Sequence, residues 1–397
     1  MKILYVGSYA DPLTISELNK QSTGEGILSE AAIKYTKLIG EGLKMNLNDE
    51  ITNLFLVPIG MFPICKKIFF YKSNTDGNYY IPFVNLLLLK QVSIGLFMLL
   101  FSIRWYFQKK KKEKKIIVFS FLYLPFLTAV APLKLLNDLY IASFVPDMPE
   151  FEYSYSKTKF SFKRLFIPIY IFMMRKIVDL NDYFVFITKF MIDSFPKKPY
   201  IIIEGFVDFK NGNQVIKCQS VKNAVMYSGA LYEKFGIKML LEAFHEIEGD
   251  YELWLFGNGD MENDILSFVN KDYRIKYFGS LPNNEILKYQ KKAKLLINPR
   301  LTNNEFTKYS FPSKLMEYMI SGTPVLTTRL LCIPVDYNDK MYYIDEESIT
   351  GMKNAMLFCL RKTNEELYEF ANKTKEYVFY EKNNLKQIEK FIDLIEC

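Results

Sequence analysis

Apolar residues in this chain fall into short dense runs, separated by longer segments where they recur every third or fourth position. KILYVGS, NLFLV, IIVFS, YIASFV, YFVFIT and YIIIEGF in the first half read as strands. AVMYSGA, YELWLFG, IKYFG, KLLINP and TPVLTT in the second half read the same way. Their near-continuous hydrophobicity suits strands covered on both faces, as in parallel sheets. Segments such as LSEAAIKYTKLIGEGL and IKMLLEAFHEI lie between them and carry helical spacing. Alternation of strand and helix predicts βαβ units, and two such series predict an α/β chain of two doubly wound, Rossmann-like domains. The polar stretch DFKNGNQVIKCQSV interrupts the pattern between the two series. Residues 1–207 therefore read as an N-terminal domain, 208–221 as a linker and 222–378 as a C-terminal domain. Residues 379–397 read as a C-terminal helix that packs back toward the first domain, at the end of a helical pattern running from Asn364.

Three apolar stretches do not fit this simple scheme. FVNLLLLKQVSIGLFMLLFSIRWYF is broken by Lys90 and Arg104, which leave 13 uncharged residues between them. A spanning helix needs about 20. The lysine run QKKKKEKK follows directly. The pair reads either as a core helix with a solvated basic turn or as a basic, aromatic surface lying on anionic lipid. Ile116 to Leu133 has 18 residues without charge, but Pro125 and Pro132 interrupt it and its start has the character of a buried strand. KRLFIPIYIFMMRK is apolar with basic residues at both ends, and suits either lipid docking or internal packing. The opening MKILYVGSYA is about the length of a buried strand and lacks the layout of a signal peptide, so a cytosolic chain is expected, and the lipid-docking reading of the basic run and apolar patches would make it peripheral on the inner face of the plasma membrane.

Composition narrows the chemistry. The chain has 397 residues, half of them hydrophobic and 24% charged, with a formal charge of +7. That charge permits an anionic substrate or membrane and does not require nucleic acid. Five cysteines are dispersed, with no CxxC pair, which favours reduced thiols and argues against a zinc site. A single histidine, His245, excludes most histidine-based triads and metal sites, and its helical context suits a structural or surface role.

The second half carries the chemistry. YSGALYEKFG places Gly229 at a strand end and Lys234 just ahead of a helix, where a lysine meets a phosphate as a point charge or simply faces solvent. WLFGNGD and KYFGS supply further strand-end glycines, Gly257 and Gly279. Ligands of doubly wound sheets bind beyond the carboxyl ends of the strands, so these turns should line one edge. YSFPSKLMEY then runs a Pro-Ser-Lys turn into a helix. The N–H groups near Phe311, Ser313 and Lys314 would form an anion site there, with Lys314 adding charge. Glu317, one turn in, either accepts ribose hydroxyls or merely complements the helix dipole. Together the turns suggest a diphosphate and the ribose of one nucleotide.

The half from Asn223 to Thr328 resembles the C-terminal domain of a family 4 glycosyltransferase of GT-B fold. The matching segments are GALYEKFG, LLEAF, WLFGNGD, YFGSLPNNEILKYQKKAKLLINPR and FPSKLMEYMISGTPVL. In the first half KILYVGSY, the STGEG turn, FVPDMPEF, and FVFITKFM leading to IIIEGFVD fall in the expected order, and the whole is similar to bacterial capsule and exopolysaccharide enzymes. The resemblance implies two Rossmann-like domains facing a cleft, and a retaining, metal-independent transfer of a sugar from a nucleotide diphosphate without a cofactor. The implied acceptor is a polyprenyl-diphosphate-linked saccharide at an anionic membrane. It also implies that Lys234 neutralises the leaving diphosphate, that N–H groups from Phe311 to Lys314, Ser313 among them, bind the same phosphates, that Tyr309, Ser310 and Pro312 belong to the donor site, and that Glu317 holds the ribose. Gly24 and Gly26 would approach the donor from the N-terminal domain, and Asp147 would contact the acceptor.

Departures from the family pattern are specific. Tyr309 stands where a first glutamate is usual, eight residues before Glu317; either Glu305, four residues further back, substitutes by reaching in from the loop, or the donor sugar is held otherwise. Ala230 replaces an arginine, Phe235 occupies the usual lysine position one residue after Lys234, and Pro146 replaces a histidine beside Asp147. A sugar-nucleotide epimerase of the same fold and a non-catalytic sugar-nucleotide-binding subunit are the alternatives.

Overall fold

The structure is a computed structural model of the full chain, and it describes residues 1–23, 30–47, 50–74, 77–108, 113–152, 163–210 and 221–396. The chain divides into two compact units, Met1–Ile203 with Asn384–Cys397, and Glu204–Asn383.

The first unit is built on a parallel sheet of β1 (Lys2–Ser8), β2 (Glu50–Leu56), β4 (Asn78–Tyr80), β6 (Lys115–Phe119), β7 (Leu139–Val145), β8 (Tyr183–Phe186) and β9 (Tyr200–Ile202). Their order is β4-β2-β1-β6-β7-β8-β9, and each neighbouring pair is parallel. Two short strands, β3 (Phe69–Phe70) and β5 (Phe83–Val84), pair antiparallel outside this sheet. Every residue of β1 and of β6 is buried, as their unbroken apolar runs require. The C-terminal helix Asn384–Glu396 belongs to this unit. Its Asn384 amide donates to the Leu38 carbonyl at 3.0 Å, and Asn46 donates to the Leu385 carbonyl at 2.9 Å, both on helix Glu30–Asn46 or its partner. Helix Asn364–Glu381 ends just before it and lies in the second unit.

The second unit has a parallel sheet of six strands: β10 (Lys222–Ser228), β11 (Glu252–Phe256), β12 (Ile275–Tyr277), β13 (Ala293–Asn298), β14 (Val325–Thr328) and β15 (Tyr342–Ile344). The order β12-β11-β10-β13-β14-β15 runs outward from β10 in both directions, so the winding reverses between β10 and β13. Alternate residues feed two cores. Val225, Tyr227, Leu253, Leu255, Leu295 and Ile297 pack with helices Ile237–His245 and Ile349–Leu360. Met226, Trp254, Phe256 and Leu296 pack on the other face, with Leu315, Met316 and Met319 of helix Ser313–Ser321. The expected pair of doubly wound α/β units is therefore present. Segment Glu204–Val207, placed by sequence in the first domain, lies in the second unit: Val207 N–H donates to the Lys382 carbonyl and Glu204 is buried against Tyr337. Among the described residues no helix is long and apolar enough to cross a membrane.

Candidate active site

In doubly wound sheets the crevice beyond the strand carboxyl ends, where the winding reverses, is where ligands bind. In the second unit that place lies past Ser228 of β10 and Asn298 of β13. The three strand-end glycines singled out from sequence come together along this edge. Gly229 N–H donates to the Phe256 carbonyl at 3.0 Å, and Gly257 N–H donates to the Gly279 carbonyl at 2.8 Å. Gly257 has φ +124°, and a Cβ there would stand 1.9 Å from the Gly229 carbonyl oxygen. No other residue type permits that approach.

Lys234 sits in a short 3-10 turn, Glu233–Phe235, that ends in Gly236 at φ +79°. A Cβ on Gly236 would stand 1.9 Å from the Pro299 carbonyl oxygen, so this turn rests directly on the chain leaving β13. The Asn304 side chain donates to the Lys234 carbonyl at 3.3 Å, which brings the segment carrying Glu305 and Tyr309 beside it. The Lys234 ammonium lies 5.4 Å from the Tyr232 and Phe235 ring centres and 5.8 Å from that of Phe306. Glu305 is exposed at the start of the 3-10 turn Glu305–Lys308, and Tyr309 closes it.

The turn before helix Ser313–Ser321 is held from two sides. The Ser310 carbonyl accepts from Arg300 at 3.2 Å and from the Cys332 thiol at 3.6 Å. Burial pushes that thiol up to about 12, against the pull of nearby Arg300. Phe311 is buried against Tyr337, which anchors the turn in the core. Pro312 stands at the N-cap with no side-chain cap bond, and Ser313 and Lys314 open the helix. Backbone N–H groups of an uncapped first turn suit an anion. Lys314, expected to add charge there, pairs with Glu317 at 3.0 Å.

Glu317 is 14% exposed, and its Oε1 accepts from both Lys314 and Gln290, the latter at 2.7 Å. Gln290 lies wholly buried on helix Asn283–Lys292. The neighbouring Tyr318 hydroxyl accepts from Ser228 N–H at 2.8 Å, tying this helix to the end of β10. Burial, then the Glu317 charge, keep that hydroxyl well above its usual range despite its bonds to Ser228.

Asp147 lies exposed just beyond β7 in the first unit, close enough to Tyr35 for its charge to add to the upward shift that burial gives the Tyr35 hydroxyl. Gly24 and Gly26 fall outside the described residues. Sequence reasoning passed over Arg300 and Gln290. Arg300 carried one usable signal, its place two residues past a strand at the winding reversal. Gln290 carried none, because only the folded helix pair brings it to Glu317.

Residues 222–362, just over a third of the chain, match the family profile described as Glycosyl transferases group 1. The chain is 29% identical over 110 residues to the amylovoran biosynthesis glycosyltransferase AmsK of Erwinia amylovora, an alignment spanning 26% of this chain and 27% of that relative. Among solved structures, sucrose-phosphate synthase of Thermosynechococcus elongatus superposes with a TM-score of 0.66 at 13% identity, over all of this chain and 99% of the other. HepE of Anabaena, solved in complex with UDP, gives 0.61 at 12% identity over 99% and 100%. TarM of S. aureus, solved with UDP among its ligands, gives 0.54 at 15% identity over 80% of this chain and 60% of its own. At such identities these likenesses establish the fold, two parallel-sheet Rossmann-like units of the GT-B type.

Proposed function

We propose that this chain is a retaining glycosyltransferase of family 4 type. It would move a sugar from a nucleoside diphosphate to an acceptor hydroxyl without a metal ion. The observation that carries this reading is the convergence at the β10–β13 reversal, inside the segment matching group 1 glycosyltransferases. There Asn304 of the segment after β13 donates to the Lys234 carbonyl, and the Tyr318 hydroxyl ties the helix carrying Glu317 to Ser228 at the end of β10. In the proposed reaction the bond from the sugar C1 to the diphosphate oxygen breaks and the acceptor oxygen bonds C1 on the same face. The acceptor proton leaves with the phosphate. Lys234 stabilises the departing diphosphate, the helix N–H groups hold it, and Glu317 accepts hydroxyls of the ribose. Glu305, beside Lys234, takes the place of the missing first glutamate.

The acceptor is read as a lipid-linked saccharide of surface-polysaccharide synthesis, in keeping with the amylovoran relative. Helix Leu89–Phe107 supports a membrane-facing role. Ile94, Met98 and Trp105 pack inward, while Leu89, Val92, Leu96, Leu100 and Phe107 form an exposed stripe on its opposite face. Helix Lys163–Ile177 leaves Ile169, Phe172 and Met173 exposed, and both helices pack on helix Leu124–Val130. Exposed Arg104 and Lys176 on these helices suit an anionic bilayer, whereas Lys90 donates to the Ile59 carbonyl at 2.7 Å and Arg175 pairs with Glu150.

The test is thermal unfolding with UDP, GDP, ADP and CMP, followed by transfer assays with the stabilising nucleotide's sugars and a polyprenyl-diphosphate acceptor. One diphosphate should raise the melting temperature, at 100 times its Kd by about 2.7 kcal/mol of stability. Transfer should then require the lipid acceptor. Interconversion of free sugar nucleotides would indicate an epimerase, and binding without turnover a non-catalytic subunit.

A further inference from the structure

Strand β2 ends at Leu56 and β4 at Tyr80, both parallel to β1, so the chain leaves both at the carboxyl edge of the first sheet. There β3 and β5 pair into a short antiparallel ribbon. Doubly wound sheets bind ligands along this edge, and the ribbon is fastened to it. The wholly buried Asn85 donates to the carbonyls of Gly60 and Lys67, each at 3.0 Å. Thr23 N–H donates to the Ile64 carbonyl at 2.9 Å and Lys66 N–H to the Gln21 carbonyl at 3.0 Å, joining the approach to the ribbon with the loop after helix Pro12–Lys20. Lys72, just past β3, pairs with Asp11, the residue that caps that helix.

Held in this way, the ribbon and its exit turn apolar side chains to solvent. Ile64, Ile68, Phe69 and Tyr71 are exposed, and Leu87 and Leu88 are 66% and 73% exposed. Leu88 is the only non-glycine residue at positive φ among the described residues. Its φ of +65° and ψ of −46°, with Leu89 N–H donating to the Leu87 carbonyl at 2.8 Å, make a γ-turn of the rare, strained hand. Glycine takes this conformation without strain, and an exposed leucine there adds nothing to the core. Its side chain is explained by what it meets outside the fold.

Charge identifies that partner. Residues 57–112 carry nine basic side chains and one acidic, a surplus of eight where the whole chain has +7. Lys66 is exposed between Ile64 and Ile68, and the Lys67 ammonium lies 5.3 Å from the Phe70 ring centre. Lysines interleaved with aliphatic and aromatic side chains match the headgroup boundary of an anionic bilayer. A second copy of the chain would bring the same positive surface to a two-fold contact and be repelled by it.

We propose that the β3–β5 ribbon and the turn at Leu88 form a wedge that enters an anionic bilayer and seats the carboxyl edge of the first sheet on it. The inference rests on the reading of helix Leu89–Phe107 as membrane-facing, and adds the element that penetrates. Leu87 and Leu88 reach the acyl chains, Phe69 and Tyr71 lie at the headgroup boundary, and Lys66 stays among the phosphates. The edge that binds ligands in this fold then faces the lipid, within reach of an acceptor carried there.

The experiment uses the full chain and vesicles of phosphatidylcholine with phosphatidylglycerol. The double variant L87S/L88G is expected to keep or raise the melting temperature, because glycine relieves the turn, and to weaken vesicle binding by roughly tenfold or more. L87W should shift its fluorescence to the blue on binding and be quenched by phospholipids brominated on the acyl chain, beyond any change in wild type, whose two tryptophans are buried. Unquenched L87W on vesicles that wild type still binds would overturn the wedge and leave the membrane reading standing. Failure of wild type to bind these vesicles at all would overturn both. A wild-type dimer in solution that L87S/L88G converts to monomer would assign the face to a second copy and overturn the proposal. If L87S/L88G does not fold, L87W carries the test through its quenching.

Discussion

Gln290, wholly buried, donates its side-chain N–H to Glu317 Oε1 at 2.7 Å, while its own Oε1 has no hydrogen-bond partner. A stranded buried carbonyl destabilises a fold, so its presence calls for a reason. The reason offered by the geometry is orientation. Gln290 and Lys314 both occupy Oε1 of Glu317, which leaves Oε2 for a ligand hydroxyl. Gln290→Leu should therefore leave the melting temperature of the ligand-free protein unchanged or raise it, yet weaken nucleoside diphosphate binding by about tenfold. A fall in melting temperature with unchanged affinity would mean that Gln290 only fills space.

Gly257→Ala places a Cβ 1.9 Å from the Gly229 carbonyl oxygen at a φ of +124°. Backbone strain of this kind costs about 1–3 kcal/mol before the clash is counted. The strand-end glycines are hydrogen-bonded in series, so the shift should spread along the edge from Gly279 to Gly229. We expect a lower melting temperature and loss of nucleotide binding together. Loss of either alone would argue that the edge does not move as one piece.

Much of this edge was legible in the sequence, and what was missed had physical causes. The strand runs were plain because both faces of the sheets are covered. Strands β4 and β15 were not, being three residues each and containing paired tyrosines in place of aliphatic runs. Gly229, Gly257, Gly279, Lys234 and Glu317 were visible because each follows a strand or opens a helix. Arg300 and Gln290 depend on contacts between segments far apart in sequence, to Phe235 and to Glu317, which no local pattern encodes.

Glu204 and Lys382 form a buried ion pair where the chain enters and leaves the second unit, and Tyr337 donates to the same Glu204 oxygen at 2.8 Å. Burial pulls the Lys382 ammonium down, but Glu204 more than restores it. Glu204→Ala strands that charge and should cost about 3–5 kcal/mol, whereas Glu204→Leu combined with Lys382→Leu should cost far less. Urea unfolding of the single and double variants measures the difference. Equal costs would show that packing, not charge, holds this junction.

Asp272 offers a pH test. Arg274 holds its carboxyl at about 2, with His245 adding a hydrogen bond at 3.1 Å and partial burial opposing. The folded value lies below the usual 3.8, so the stabilisation is complete above about pH 4 and is lost as pH falls toward 2. Asp272→Asn should lower stability near pH 6 by about 2 kcal/mol, and the gap to wild type should narrow below pH 4. A gap constant with pH would assign the loss to packing.

The exposed stripe of helix Leu89–Phe107 makes the membrane reading testable apart from catalysis. Leu96 and Leu100 are each 57% exposed on a face that turns away from the core, so charges there should leave folding intact. Burying one leucine in lipid is worth about 1.5–3 kcal/mol, so Leu96→Glu with Leu100→Glu should weaken vesicle binding by more than tenfold. Vesicles containing anionic lipid separate this term from charge. Replacing Lys109 to Lys112, which lie outside the described residues, by glutamine should weaken binding mainly at low salt, where a basic residue near a membrane surface contributes about 1 kcal/mol. The leucine variant should lose affinity at low and high salt alike, because apolar burial is not screened. If both variants bind anionic vesicles as wild type does, the stripe belongs to another partner and the lipid-linked acceptor loses its structural support.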